Sequence, residues 1–119
     1  MGNPTMWFEV AAKDREAMKG FYGGMFEWKM TDMEAMPYTT VEKEGEGIPG
    51  GISSAPDGEG GVTFYVEVAD VEAGLAKAES LGGSRVMGPM ELPRGGKIGL
   101  FADPEGHVVG LMDMSGASA

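Results

Sequence analysis

Residues 7–17 read Trp-Phe-Glu-Val-Ala-Ala-Lys-Asp-Arg-Glu-Ala, and residues 63–73, 56 positions later, read Thr-Phe-Tyr-Val-Glu-Val-Ala-Asp-Val-Glu-Ala. Phe8 matches Phe64, Val10 matches Val66, Asp14 matches Asp70, Glu16 matches Glu72 and Ala17 matches Ala73, five identities in eleven positions. A period this long points to paired supersecondary modules rather than to a solenoid. Two such copies facing one another would create a shared cleft on which corresponding positions converge.

Each half of the repeat reads as a strand followed by a helix. Over residues 6–12, Phe8, Val10 and Ala12 alternate with Trp7, Glu9 and Ala11, the period of a strand with two different faces. Over 62–68, Phe64, Val66 and Val68 alternate with Thr63, Tyr65 and Glu67 in the same way. Asp14 and Asp70 are N-cap residues, each able to accept from a backbone amide that the helix leaves unpaired. Glu16 and Glu72 then lie in first turns, where the helix dipole favours negative charge. The first helix is expected to bury Ala17, Met18, Phe21, Tyr22 and Met25, weakening at Gly23-Gly24. The second is expected to bury Val71, Leu75, Ala78 and Leu81, ending at Gly82-Gly83. Helical spacing assigns Met18 and Met25 to core packing.

Strand patterns follow each helix: 27–33, 38–42 and 48–53 in the first half, 85–87, 97–102 and 107–112 in the second. Asp103-Pro104-Glu105-Gly106 reads as a turn, proline fixing φ and glycine accepting the left-handed geometry. The turn-forming stretch 54–61, with Pro56, Asp57 and Gly58, separates the copies. The chain is therefore one domain, 1–119, with a first module at about 5–54, a linker at about 55–61 and a second module at about 62–113.

Composition narrows the class of partner. A 42% hydrophobic content is enough for a core, and no cysteine is present among the 119 residues, which excludes disulfides, thiolate metal sites and cysteine nucleophiles. A formal net charge of −10 repels phosphate backbones, so nucleic acid is not an expected partner. Neither a membrane-spanning run nor a signal-peptide pattern is present, and a cytoplasmic location is the expectation. The glycines at 95 and 96 do not make a phosphate loop, lacking its Gly-Lys-Ser/Thr ending and following helix. A single histidine, His107, gives no Ser-His-Asp arrangement and sits just after a turn, where a solvated position is expected.

The module pattern, with Phe21-Tyr22 in the first helix, Gly82-Gly83 after the second and Phe101-Ala102-Asp103-Pro104-Glu105-Gly106-His107-Val108-Val109-Gly110-Leu111 near the end, resembles the vicinal oxygen chelate superfamily. This is the group of glyoxalases, bleomycin-resistance proteins and extradiol dioxygenases. The resemblance spans about residues 6–112 and implies an α+β fold, two βαβββ modules forming a half-open mixed-sheet barrel around a cleft. It also implies a metal site in which each module gives one ligand, commonly histidine or glutamine, seven residues before its helix-starting aspartate, and one glutamate from its last strand. Those positions fall here on Trp7, Thr63, Gly51 and Gly110. Indole offers no lone pair, glycine has no side chain and a lone threonine hydroxyl is a poor ligand, so no metal and no other cofactor is expected at the family's site.

The expected site is instead organic. Strand alternation places Trp7, Glu9, Thr63, Tyr65 and Glu67 on the cleft side, with Gly110 leaving room and Met112 closing part of the wall. Trp7 either stacks on a ligand or fills the interior as core. Glu9 must be hydrated, paired with Arg85, Arg94 or Lys97, or protonated. Aromatic rings beside carboxylates suit a cationic aromatic compound. The expected function is a small-molecule-binding protein of the glyoxalase/bleomycin-resistance type, independent of metal, that sequesters or carries an organic compound, a cationic aromatic one being a candidate. The alternative is a glyoxalase-like lyase or isomerase using Glu9 as general base or a displaced metal. A partner-binding or accessory role is a third reading, and a homodimer is expected, with modules paired within a chain or exchanged between two.

Overall fold

The computed structural model of the protein describes residues 2–55, 58–93 and 95–114. Pro56, Asp57 and Arg94, named above, lie outside them. The chain runs β1(Thr5–Ala12), α1(Arg15–Phe26), β2(Met30–Asp32), β3(Tyr38–Val41), β4(Gly50–Ser54), β5(Gly61–Glu67), α2(Val71–Ser80), β6(Ser84–Glu91), β7(Lys97–Ala102) and β8(Val108–Asp113). This is α+β, and β-α-β-β-β occurs twice. Contacts divide it into two compact units, Met6–Thr63 and the remainder, which correspond closely to the two modules.

In the first module the strand order is β2-β3-β4-β1. β1 runs parallel to β4, with Phe8 opposite Gly50, Glu9 opposite Gly51 and Val10 opposite Ile52, while β3 is antiparallel to both β2 and β4. Val10, Ala12, Val41 and Ile52 form the buried core, with Phe8, Met18, Tyr22, Trp28 and Met30 packed against it. The even-numbered face of β1 therefore meets the helix, as the alternation predicts.

α1 departs from its expected stripe. It has no buried residue: Met18 and Tyr22 are half-buried, whereas Ala17 is exposed and Phe21 and Met25 are 59% and 63% exposed. The helix is held instead by a narrow aromatic seam and a polar latch. Tyr22 stacks on Trp28 at 5.5 Å and Phe8 lies against Trp28 at 5.2 Å between ring centroids. Arg15 donates to Thr39 Oγ1 at 2.7 Å and to Ser54 Oγ at 3.0 Å, tying the helix start to β3 and β4. Thr39, fully buried, donates in turn to Asp32 at 2.7 Å. Lys19 lies 2.9 Å from the same carboxylate, and its hydrogen bond is the foremost cause holding Asp32 below the usual carboxylate range.

α1 runs on through Gly23-Gly24. The helix continues to Phe26 and closes on Glu27, whose φ of 57° is left-handed and whose N–H donates to Gly23 O at 2.9 Å. That cap takes 27–29 out of the expected strand and leaves β2 with three residues. β4 likewise starts two residues later than its pattern, at Gly50.

The second module has the order β5-β8-β7-β6, with β5 parallel to β8 and the other pairs antiparallel. Val71, Leu75 and Leu111 form its core, with Val66, Val68 and Phe101 packed alongside. α2 approaches the sheet closely because Gly99 has no side chain: a Cβ there would lie 2.8 Å from Val71 Cγ1 and 2.9 Å from Leu75 Cδ1. Of the expected stripe, Val71 and Leu75 are buried and Ala78 is half-buried. Leu81 is 71% exposed because it is the C-cap, where the chain turns away through Gly82 at φ 101°. Arg85 on β6 clamps α2 by donating to both Glu72 carboxylate oxygens at 2.8 and 2.7 Å, and lies 3.4 Å from Glu79. β6 extends to Glu91, beyond the short segment its pattern suggests, through irregular pairing between Arg85 and Met90.

Candidate functional site

β1 gives two different faces to the first module. Trp7 and Glu9 point away from the core that Phe8, Val10 and Ala12 build, and both are half-buried. Register then brings two residues to them that sequence reading alone did not single out. Glu9 lies opposite Gly51 on β4, and Ser53 on β4 lies opposite Tyr38 on β3. The Tyr38 ring crosses over Gly51, where any Cβ would overlap its Cε1, Cζ and hydroxyl oxygen.

That placement creates a directed hydrogen-bond chain. Trp7 Nε1–H donates to Tyr38 Oη at 2.9 Å, and Tyr38 Oη donates to Glu9 Oε1 at 3.0 Å. Ser53 Oγ donates a longer bond to Glu9 Oε2 at 3.5 Å. Indole is a donor only, so the tyrosine oxygen accepts from it and passes its own proton toward the carboxylate. Burial pushes the Glu9 carboxyl above its ordinary range, with the Tyr38 and Ser53 bonds opposing that rise. Among the described residues no Lys, Arg or His forms an ion pair with Glu9. Arg85, one expected partner, is held by Glu72 and Glu79 within the second module.

The second module holds the corresponding positions differently. Tyr65 lies opposite Gly110, and Glu67 lies opposite Met112, so these four share the face turned away from α2. Tyr65 and Met112 are buried, and Glu67 is exposed at the strand end with its carbonyl accepting from Asn3 Nδ2 at 3.0 Å. Thr63, half-buried, belongs by chain to the first unit. The structure thus brings Trp7 and Glu9 together, and separately groups Tyr65, Glu67, Gly110 and Met112.

The space beside Gly110, expected to be open, is occupied, and so is that beside Gly51. The volume beside Gly51 holds the Tyr38 ring and that beside Gly110 holds the Tyr65 ring, which a Cβ at position 110 would overlap. A missing side chain on a strand is filled by the neighbouring strand's side chain when register places a large ring opposite or diagonally across. The same positions bear on a metal. Trp7, Gly51 and Gly110 offer no side-chain lone pair suited to a divalent cation. Among the described residues, no group of three or more His, Asp or Glu could hold a metal ion. His107 lies at the end of the expected turn, exposed. Asp103 Oδ1 accepts from the backbone N–H groups of Glu105 and His107 at 2.9 and 3.0 Å, and His107 Nδ1 lies 3.0 Å from Asp103 Oδ2.

The description of a glyoxalase-like domain matches residues 7–112, both modules from Trp7 through Met112. The chain belongs to this glyoxalase-like family. With it the chain joins the vicinal oxygen chelate superfamily. The chain is 30% identical over 118 residues to the anthracycline biosynthesis protein DauV of a Streptomyces species, strain C5, covering 84% of this chain and 43% of that protein. It stands in the same relation to the anthracycline biosynthesis protein DnrV of Streptomyces peucetius, 30% identical with the same coverage. The chain therefore spans less than half the length of these curated relatives. Among solved structures, a methylmalonyl-CoA epimerase from Streptomyces coelicolor superimposes with a TM-score of 0.65 at 15% identity, covering 98% of both chains. At that identity the likeness shows the glyoxalase-like fold alone.

No helix among the described residues is long and apolar enough to cross a membrane.

Proposed function

We propose that this glyoxalase-like chain binds a small organic molecule, aromatic and cationic, on the Trp7–Tyr38–Glu9 face, and sequesters or carries it without a metal. One observation carries this reading: Glu9 is a partly desolvated carboxylate whose described hydrogen-bond partners are neutral donors, with a half-buried indole beside it. A carboxylate in such a place is costly until a positive charge or a proton meets it. A ligand amine supplies the charge, and the indole supplies a surface for stacking or for attraction of the cation. Two relatives named for anthracycline biosynthesis support the aromatic part, since an anthracycline is a fused-ring aromatic compound.

A second reading is favoured by the same carboxylate. With its proton affinity raised by burial, Glu9 is suited to general-base work in a lyase or isomerase. One experiment addresses both. Daunorubicin, planar and carrying a protonated amine, is titrated into the protein by calorimetry, and the recovered compound is analysed by mass spectrometry and by solvent-deuterium incorporation. One-to-one binding is expected, weakened about tenfold or more in Trp7→Ala and in Glu9→Gln, roughly 1.4 kcal/mol each. Compound recovered unchanged supports carriage. Conversion or deuterium uptake that disappears in Glu9→Gln supports catalysis. Equal binding in wild type and both variants would place the site elsewhere.

A further inference from the structure

Tyr38 is neither at a family ligand position nor in the repeated segment, yet it touches both members of the proposed site. Its backbone sits on β3 opposite Ser53, and its ring reaches across β4 over Gly51 to Glu9 on β1. Only a residue without a side chain at position 51 permits that crossing. The glycine that stands where the family places a metal-binding glutamate thus seats a tyrosine.

We propose that Tyr38, seated by Gly51, is the specificity-determining residue of the site: it fixes Glu9 as a hydrogen-bond acceptor and so selects a ligand bearing a protonated amine over the uncharged counterpart. This inference rests on the Trp7–Tyr38–Glu9 face being the binding site.

The argument is one of direction. Trp7 can only donate, so its bond at 2.9 Å uses an acceptor site of the Tyr38 oxygen. The tyrosine has a single proton, and at 3.0 Å from Oε1 that proton goes to Glu9. A donor that is itself accepting a hydrogen bond is polarised and donates more strongly, which favours the ionised carboxylate. An ionised carboxylate offers about four acceptor positions, and Tyr38 and Ser53 use two, the Ser53 bond being long at 3.5 Å. What remains can accept but cannot donate. A ligand ammonium satisfies it with charge and up to three donors together, whereas an amide brings one neutral N–H and a carbonyl brings no donor, so the buried charge stays largely uncompensated. The indole is pinned by its own N–H at the same time, which holds the ring orientation that a ligand meets.

The test compares daunorubicin with N-acetyldaunorubicin, in which the amine is uncharged, against wild type, Tyr38→Phe and Gly51→Ala by calorimetry at neutral pH. Wild type is expected to prefer the charged compound by about tenfold or more. In Tyr38→Phe, affinity for the acetylated compound should stay within about threefold of wild type while the preference collapses, a split that mere loosening of the sheet would not produce. Gly51→Ala, by displacing the ring, should lose the preference in the same way. Equal wild-type affinity for the two compounds overturns the role of Tyr38 while leaving the site intact, and so does a preference that persists in folded Tyr38→Phe. Wild type that binds neither, or binds both with Trp7→Ala indistinguishable from wild type, overturns the underlying site and this inference with it.

Discussion

The two modules repeat one plan and fill it with opposite chemistry. Glu9 and Tyr65 are equivalent along their first strands, and each lies opposite a glycine on the last strand, Gly51 or Gly110. In the second module the tyrosine opposite the glycine fills the notch itself and is buried. In the first module the residue opposite the glycine is a carboxylate, and the notch is filled by Tyr38 arriving from β3, which then bonds that carboxylate. One module closes its notch with packing, and the other uses it to hold a charge. The helices differ in parallel. α2 docks through buried Val71 and Leu75, whereas α1 has no buried residue and is held by aromatic stacking and the Arg15–Thr39–Asp32 latch.

The largest expected effect breaks the comparison at the helices. Leu75 is fully buried between α2 and the sheet, so Leu75→Ala should cost about 2 to 5 kcal/mol. Met25 on α1 is 63% exposed, and Met25→Ala should change stability by less than about 0.5 kcal/mol. Urea unfolding of both variants measures the contrast. A cost of similar size for both would mean that α1 buries its apolar face as its helical spacing suggests.

The next effect lies at the second-module notch. A methyl group at position 110 must overlap the Tyr65 ring, and Tyr65, only 5% exposed, has little room to move. Gly110→Ala should therefore destabilise by roughly 1 to 3 kcal/mol, the usual range for overpacking. Thermal unfolding reads it directly. A neutral result would show that the ring is free to leave the notch, and the packing account of this module would fail.

What could be read from the sequence was what depends on short range. The repeated aspartates are N-caps because each is followed three residues later by the amide it accepts from, at 3.0 Å for Asp14 and Ala17 and 3.1 Å for Asp70 and Ala73. Strand alternation correctly sent Trp7 and Glu9 away from the core that Val10 and Ala12 join. Tyr38 was illegible because its role arises from the register of three strands, two of them joined through the glycine-containing segment between Val41 and Gly50. Local pattern carries no information on which residue of β3 lies beside Gly51. The glycines misled for a related reason: a sequence shows that a side chain is missing, but only the fold shows whose ring takes the space. α1 misled because helical spacing marks which residues share a face and not how wide a strip of that face the sheet covers.

The smallest effect concerns the charge itself and has a definite sign. Burial raises the Glu9 carboxyl above its unfolded-state value of 4.5, so the folded state holds this proton to higher pH than the unfolded state does. The stability that protonation contributes is fully present below the unfolded value and is lost as pH rises through the folded one. Glu9→Gln keeps an acceptor for Tyr38 and carries no charge, so it should lack this loss. In unfolding scans the melting-temperature difference between variant and wild type is expected to move in the variant's favour as pH rises through and above the ordinary carboxylate range. A Glu9→Gln difference that stays flat with pH would mean that the folded protein already compensates the carboxylate, and the contrast between a packed notch and a charged one would reduce to a difference of shape.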